Sequence, residues 1–131
     1  MQGKRLLSVD DDAGVLAIIR KVAVELGFEV ETISNSTRFM TAYVRIKPDV
    51  ITLDLMMPDM DGIELVRWLG DVGCTAGVII LSGGHTMFVN LAQKLASTRG
   101  SLHTSVLRKP FSIAELRAAL TAATARPPAG T

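Results

Sequence analysis

Acidic, hydroxyl and amine side chains stand where four short apolar runs of the chain end. They are Asp10, Asp11, Asp12, Asp54, Ser82 and Lys109. Carboxylates that share one pocket repel each other unless a cation compensates them, and all-oxygen ligation favours Mg²⁺ or Mn²⁺ over zinc. A lysine adds a mobile positive donor that suits a phosphoryl oxygen. A carboxylate, a metal, a lysine and a hydroxyl are together the parts required for phosphoryl transfer to aspartate.

Each of these residues also has an ordinary structural explanation. An aspartate before a helix caps it, so Asp11 or Asp12 could serve only that purpose, and we expect Asp12 to do so. Asp54 could form a turn, Ser82 could be a loop residue before glycine, and Lys109 could be a solvated charge. We favour a shared site because all of these residues follow apolar runs that predict strands.

The apolar runs predict a parallel sheet. Continuous apolar stretches are typical of strands whose two faces are both covered, and helical patterns separate the runs. The predicted strands are residues 6–9, 30–33, 50–53, 78–81 and 106–107, of which 30–33 is expected at an edge. Five strand–helix units indicate an α/β fold: a flavodoxin-like (βα)5 doubly wound parallel sheet with strand order 2-1-3-4-5. Such sheets bind ligands beyond the carboxyl ends of strands one and three, where the strand order reverses.

Apolar residues at helical spacing predict the first three helices. The inner face of the first is expected to consist of Val15, Ile18, Ile19, Val22 and Leu26. Gly27 then follows as a C-terminal cap. The second helix is expected to start at Asn35 or Ser36 and must end before Pro48. The third contains Ile63, Val66 and Leu69.

Two further helices complete the predicted alternation. The fourth is expected from about Phe88 to Gly100. The fifth begins with a capping box formed by Ser112 and Glu115. Its inner face is expected to consist of Ile113, Leu116 and Leu120.

Composition bounds the class of protein. The chain has 131 residues, of which 48% are hydrophobic, which fits one globular domain. With 14 basic and 13 acidic residues the net charge is +1, so we expect no direct binding to nucleic acid or to a membrane. Cys74 is the only cysteine and is expected to be a packed hydrophobe near a turn.

The compartment and the domain limits are also expectations. The lone cysteine excludes an internal disulfide, and neither a signal peptide nor a membrane span is evident, so a cytoplasmic location is expected. Residues 126–131 lack apolar periodicity and are expected to form a flexible linker or tail after a domain over residues 1–125.

At this point a family resemblance is evident. The segment PDVITLDLMMPDMDG at residues 48–62 closely resembles the phosphoacceptor segment of two-component response-regulator receiver domains. The acids after Val9 and the sequence KPF at residues 109–111 extend the resemblance over residues 4–125. The pattern is long and specific.

The resemblance implies roles for the acidic residues. Asp54 resembles the residue that accepts a phosphoryl group from a histidine kinase or a phosphotransfer protein. Asp10 and Asp11 resemble the pair that holds Mg²⁺ together with Asp54, with Asp11 as the direct ligand and Asp10 acting through water. The backbone carbonyl of Met56 would complete the protein ligands.

The resemblance also implies roles for three residues on later strands. Ser82 resembles a switch hydroxyl, the backbone N–H of Gly83 is expected to be a donor, and Lys109 resembles the lysine that pairs with the phosphoryl group. The Lys109–Pro110 bond is expected to be cis. Such a domain is a phosphoacceptor that assists its own phosphorylation and dephosphorylation rather than an independent enzyme. It would act on an unidentified effector through helix four, strand five and helix five, as a monomer or weak homodimer.

Three features depart from the family pattern. Val106 replaces an aromatic residue, so a ring that swings inward is not expected here. Met56 and Gly84 occupy positions that tune dephosphorylation and carry no polar side chain, which predicts a long-lived phosphoryl group unless His85 positions water. The longer fourth-helix segment is similar to receivers that precede cyclic-di-GMP phosphodiesterase domains of the EAL type.

Other classes fit the residues less well. A haloacid-dehalogenase-type phosphatase needs an acid two residues after its nucleophile, where this chain has Met56. A flavodoxin-like electron carrier needs a Ser/Thr/Gly-rich phosphate loop where this chain has three acids. A receiver-like domain used only for docking stays open, although every acidic, hydroxyl and lysine position is filled.

Overall fold

The computed structural model describes residues 4–55, 62–83 and 103–124. The strands are β1 (Lys4–Val9), β2 (Phe28–Ile33), β3 (Val50–Asp54), β4 (Gly77–Ser82) and β5 (His103–Arg108). The helices are α1 (Ala13–Glu25), α2 (Phe39–Ile46), α3 (Gly62–Asp71) and the C-terminal helix (Ile113–Thr124), and a 3-10 turn (Ser36–Arg38) precedes α2.

The five strands form one parallel sheet in the order β2-β1-β3-β4-β5. This confirms the predicted fold class, strand order and edge position of β2. The strands are longer than their apolar runs, most of all β5, where Val106 and Leu107 lie inside a six-residue strand. Parallel pairing brings the carboxyl ends of β1 and β3 side by side, where the sequence places its acids.

Helices cover both faces of the sheet and enclose two apolar cores. On one face α1 and the C-terminal helix pack against β1, β3 and β4 through Leu6, Ile19, Val22, Val50, Ile79, Leu81, Leu116 and Leu120. On the other face α2 and α3 pack through Leu7, Val9, Phe39, Ile51, Leu53, Val66, Leu69 and Cys74. Cys74 is fully buried just after the turn at Gly73, as expected.

Helix ends follow the predicted capping chemistry. Asp12 caps α1, its Oδ1 accepting bonds from the backbone N–H groups of Gly14 and Val15 at 2.8 and 3.2 Å. Gly27 follows α1 with a positive φ of 92°, which glycine adopts without strain. The C-terminal helix starts with the reciprocal capping box, in which Ser112 N–H donates to Glu115 and Glu115 N–H donates to the Ser112 hydroxyl.

The end of α2 agrees with the sequence, but its start does not, because a 3-10 turn occupies Ser36–Arg38 and the α-helix begins at Phe39. Asn35 Oδ1 accepts a bond from Thr37 N–H at 3.2 Å and so starts the 3-10 turn that leads into α2. The helix ends at Ile46, before Pro48, and Lys47 adopts a left-handed conformation with a φ of 53°.

Two inner-face predictions are wrong. Ile18 is 46% exposed and Ile113 is 55% exposed. The buried stripe of α1 is centred on Leu16 and Ile19, and this turns Ile18 toward solvent. Ile113 is the first residue of its helix, ahead of the turns that pack on the sheet. The predicted fourth helix lies outside the described residues.

None of the helices in the described ranges has the length and apolar character needed to cross a membrane.

Candidate functional site

Two buried aspartates meet at the carboxyl edge of the central strands. Asp10 directly follows β1 and is fully buried, and Asp54 is the last residue of β3 and is 4% exposed. Asp11 is the next residue after Asp10 and is exposed. Each of these three residues offers a carboxylate oxygen, and the three oxygens lie within 4.8 Å of one another. We call these residues the acidic cluster.

Lys109 brings a positive charge to the acidic cluster. Its Nζ lies 2.8 Å from Asp10 Oδ2 and 3.5 Å from Asp54 Oδ2. The backbone explains this placement, because Lys109 N–H donates to Ser82 O at 2.6 Å and continues the β4–β5 pairing one residue beyond β5. The following Lys109–Pro110 peptide is cis, as predicted.

The two oxygens of Asp10 have different surroundings. Oδ1 accepts a hydrogen bond from the backbone N–H of Asp12 at 2.9 Å. Oδ2 is buried, and its neighbour of opposite charge is the ammonium group of Lys109 at 2.8 Å. A buried carboxylate oxygen is costly without a compensating partner, and Lys109 supplies the positive charge here.

Charge and burial shift two pKa values in the site. Burial raises the pKa of Asp10 above the ordinary aspartate value, and the neighbouring Asp54 adds to this, while Lys109 and the Asp12 N–H only partly oppose it. Burial alone would lower the pKa of Lys109, but contact with Asp10 and Asp54 raises it above the ordinary lysine value. Lys109 therefore stays an ammonium ion at neutral pH.

The all-oxygen donor set fits a hard divalent cation. Three carboxylates with one ammonium leave net negative charge in a largely buried space. Mg²⁺ is usually bound by one or two carboxylates and keeps its other positions for water and phosphate oxygens. This preference agrees with a cluster in which Asp10 and Asp54 are buried but Asp11 is exposed to solvent. Asp12 is engaged as the α1 cap and is not part of the cluster, as expected.

Ser82 and Gly83 lie on the strand beside the acidic cluster. Leu81 pairs with Asp54 in the β3–β4 register, so Ser82 stands one residue beyond that pair, and it is 3% exposed. Gly83 is exposed, and a Cβ atom built there meets no heavy atom of the described residues within 4 Å. Met56, Gly84, His85 and Phe88 lie outside the described residues, as does the backbone carbonyl expected to bind metal.

Val106, which replaces the usual aromatic residue, is half-buried. It packs against the core on the α2 and α3 side of the sheet. A valine held in this way has no ring to rotate between an exposed and a buried position.

One polar contact near the site was not predicted. Thr52 Oγ1 donates to Ser8 Oγ at 2.6 Å, and both residues are fully buried. The available signal was the interruption of two apolar runs, each two residues before an aspartate of the acidic cluster.

Known proteins share this sequence pattern and this fold. The family model "Response regulator receiver domain" matches residues 6–121. Response regulator MprA of Mycobacterium leprae is 30% identical over 118 residues, which cover 90% of this chain and 50% of that protein. Chemotaxis protein CheY of Thermotoga maritima is 32% identical over 81 residues, which cover 61% of this chain and 68% of that protein. The chain thus spans about half the length of the MprA relatives that it matches.

Solved structures agree with this match. The signal receiver domain of a response regulator from Bermanella marisrubri superposes with a TM-score of 0.81 at 27% identity, covering 93% of this chain and 98% of that one. A response regulator from Colwellia psychrerythraea gives a TM-score of 0.73 at 33% identity, covering 95% and 98%. With the parallel sheet and the acidic edge described above, these matches show that the chain belongs to the response-regulator receiver domain family, which serves two-component phosphorelay signalling.

Proposed function

We propose that Asp54 is the phosphoacceptor of this receiver domain and that its phosphorylation requires Mg²⁺, with Mn²⁺ as a substitute. The observation that carries the proposal is the convergence of Asp10, Asp11 and Asp54 within 4.8 Å, with Lys109 paired to both buried acids. Charges that repel one another persist in a buried site when a bound cation compensates them.

The cation would be held by Asp10, Asp11, Asp54 and the backbone carbonyl of Met56. When bound, Mg²⁺ neutralises the carboxylates and offers coordination positions to phosphoryl oxygens. Asp10 is fully buried, pairs with Lys109 and has a carboxylate oxygen within 4.8 Å of oxygens of Asp11 and Asp54, so it is suited to act on the cation through a bound water molecule.

The transfer itself is a displacement at phosphorus. A carboxylate oxygen of Asp54 forms the new O–P bond while the N–P bond to the donor histidine breaks, and the imidazole nitrogen leaves with the bonding electrons. The donor is a histidine kinase or a phosphotransfer protein. Lys109 neutralises charge on the phosphoryl oxygens, and the Ser82 hydroxyl and Gly83 N–H lie on the adjacent strand end as further donors.

The same groups support dephosphorylation by the domain itself, when water attacks the acyl phosphate. Neither Met56 nor Gly84 has a polar side chain to orient that water, so we infer slow hydrolysis. The domain is in this sense a phosphoacceptor that assists both reactions rather than an independent enzyme.

The phosphorylated state would be transmitted through the surface formed by helix four, β5 and the C-terminal helix. A phosphoryl group adds about −1.5 to −2 charges at pH 7, and Lys109 and Ser82 would follow its oxygens. Val106 has no ring to rotate. The effect of phosphorylation would therefore reach the effector by movement of the loops that follow β4 and β5.

The wider setting is also a proposal. The domain would occupy residues 1–125 with residues 126–131 as a linker, act in the cytoplasm as a monomer or weak homodimer, and contact an unidentified effector but not nucleic acid or membrane. The MtrA protein of Mycobacterium leprae, 39% identical over 66 residues, is described as a DNA-binding response regulator. Any DNA contact of this chain's own system would by this proposal belong to another domain.

Incubation with acetyl phosphate tests the proposal. The protein is expected to give a phosphorylated form on phosphate-affinity gels with Mg²⁺ and none with excess EDTA. Asp54→Ala should abolish the product, and Asp71→Ala at the exposed end of α3 should leave it unchanged. The absence of product from the unaltered protein, with no spectral response to beryllofluoride and Mg²⁺, would instead indicate a domain used only for docking.

A further inference from the structure

A hydroxyl pair, Ser8 and Thr52, lies inside the sheet beneath the acidic cluster. The two residues face each other in the β1–β3 register, and Thr52 Oγ1 donates to Ser8 Oγ at 2.6 Å. Both side chains are fully buried, and most of the other residues of β1 and β3 are apolar. Buried polar groups at the centre of a sheet reduce stability unless they are hydrogen-bonded, and the bond between these two hydroxyls meets that requirement. What needs an explanation is why two hydroxyls occupy these positions in strands that are otherwise largely apolar.

The position of the pair relates it to the acidic cluster. Side chains two residues apart on a strand share a face, so Ser8 lies on the face of Asp10 and Thr52 on the face of Asp54. One step further from the rim on this face, Leu6 pairs with Val50 in the apolar core beside α1 and the C-terminal helix. Polarity therefore rises along the two strands from hydrocarbon to hydroxyl to carboxylate.

The hydrogen bond brings the two side chains closer together than an apolar pair would come. Two oxygens joined by a hydrogen bond sit 2.6 Å apart here, whereas non-bonded carbon atoms prefer about 3.5–4.0 Å. The link also fixes the first torsion of both side chains, and that of Thr52 is already restricted by its β-branch. The pair of side chains that precedes the two aspartates on this face therefore has one defined arrangement.

We propose that Ser8 and Thr52 are positioning residues that hold Asp10 and Asp54 at the separation needed to share a cation. This inference rests on the proposed function, since it concerns the same acids. Groups that hydrogen-bond to metal ligands typically change metal affinity by about 10–100-fold when they are removed. Ser8 and Thr52 lie one side-chain position behind the ligands on the same face, so we expect an effect at the lower end of this range.

The decisive variant replaces both hydroxyls, Ser8→Ala with Thr52→Val. Each single substitution leaves a buried hydroxyl without its partner and is expected to destabilise the fold, but removal of both leaves no unpaired group. The double variant should therefore fold and melt close to the unaltered protein. We expect it to bind Mg²⁺ about tenfold more weakly. Thr52→Ser keeps the hydroxyl and should retain the original affinity.

A matched control lies on the same strand. Ile51→Val removes one methylene group from the core on the opposite face of β3 and should lower the melting temperature without changing Mg²⁺ affinity. A second readout needs no metal. The side-chain carboxyl ¹³C chemical shifts of Asp10 and Asp54, measured by NMR in the metal-free protein, should move in the double variant and not in Ile51→Val.

The outcomes separate this inference from the proposed function. If the unaltered protein binds Mg²⁺ and is phosphorylated, and the folded double variant matches it in Mg²⁺ affinity and carboxyl shifts, the positioning role is wrong and the pair is only structural. If the unaltered protein shows neither binding nor phosphorylation, the proposed function fails, and this inference fails with it. Weaker Mg²⁺ binding by the double variant, with Thr52→Ser and Ile51→Val unchanged, would support the role.

Discussion

Lys109 is closer to Asp10 than to Asp54, at 2.8 Å against 3.5 Å between the ammonium nitrogen and each Oδ2. In this state the lysine is therefore chiefly the counter-ion of the fully buried Asp10. A phosphoryl group on Asp54 would offer it oxygens with more negative charge, so Lys109 would change partners as the site is filled. By this proposal, binding at the acidic cluster would be transmitted through Lys109 to the end of β5.

Lys109→Met should destabilise the metal-free protein. It would leave the Asp10 carboxylate buried without its compensating charge, and we expect a loss of about 1–3 kcal/mol in the free energy of unfolding. Added Mg²⁺ should recover part of this loss because it supplies positive charge to the same acids. Denaturant unfolding with and without Mg²⁺ measures both effects. Arg108→Met, which removes an exposed charge from the preceding residue, is the control and should change stability by less than about 0.5 kcal/mol.

Asp54→Asn should have the opposite effect on the metal-free protein. Removal of one carboxylate relieves the repulsion that Asp54 exerts on Asp10, so we expect a gain of about 1 kcal/mol in the free energy of unfolding. The variant should also gain less from Mg²⁺ than the unaltered protein does. Thermal melts with Mg²⁺ and with EDTA test this expectation. Glu64→Gln, which removes an exposed carboxylate paired with Arg67, is the control and should not gain stability. A destabilised Asp54→Asn protein would show that the acids do not repel each other strongly in the folded state.

Asp11 and Asp12 are neighbours in the chain, but we expect their substitution to affect different properties of the protein. Asp12→Ala removes the α1 cap and should cost about 1 kcal/mol of stability while leaving Mg²⁺ affinity largely unchanged. Asp11→Ala removes an exposed carboxylate of the acidic cluster and should weaken Mg²⁺ binding with little effect on the melting temperature. Calorimetric titration of Mg²⁺ beside thermal melts gives the comparison. Equal loss of Mg²⁺ affinity in both variants would contradict the assignment.

The strand order and the gathering of the acids could be predicted because both depend on patterns within the sequence. Buried parallel strands appear as continuous apolar runs, and parallel pairing brings their carboxyl ends to one edge. Helix ends were equally predictable, since Asp12, Gly27 and the capping box around Ser112 act within a few residues of their own positions.

Features that depend on how elements pack could not be predicted in the same way. Helical periodicity defines a stripe but not the angle at which it meets the sheet, and Ile18 is exposed for this reason. Ile113 is exposed because its helix begins there, ahead of the turns that pack on the sheet. The bond between Ser8 and Thr52 depends on the register of β1 against β3, which the sequence does not state. The closer contact of Lys109 with Asp10 depends on side-chain geometry at the end of β5.

Gly83→Ala should leave phosphorylation by acetyl phosphate close to its original rate. The proposed contribution of Gly83 is its backbone N–H, which alanine retains, and the added Cβ meets no heavy atom of the described residues within 4 Å. Gly83→Pro removes the N–H and should slow the reaction. The two initial rates, compared at equal Mg²⁺ concentration and with melting temperatures recorded for both proteins, test the backbone donor. A slow alanine variant would show that the glycine is needed for another reason.

Met56→Asn should shorten the lifetime of the phosphorylated protein. The methionine side chain cannot orient a water molecule toward the acyl phosphate, whereas an amide can both donate and accept hydrogen bonds. We therefore expect hydrolysis several-fold faster in Met56→Asn after removal of acetyl phosphate, followed as loss of the slower band on phosphate-affinity gels. Met56→Leu keeps an apolar side chain of similar size and should decay at the original rate. If the unaltered protein already loses its phosphoryl group as fast as Met56→Asn does, another group, such as His85, must orient the water.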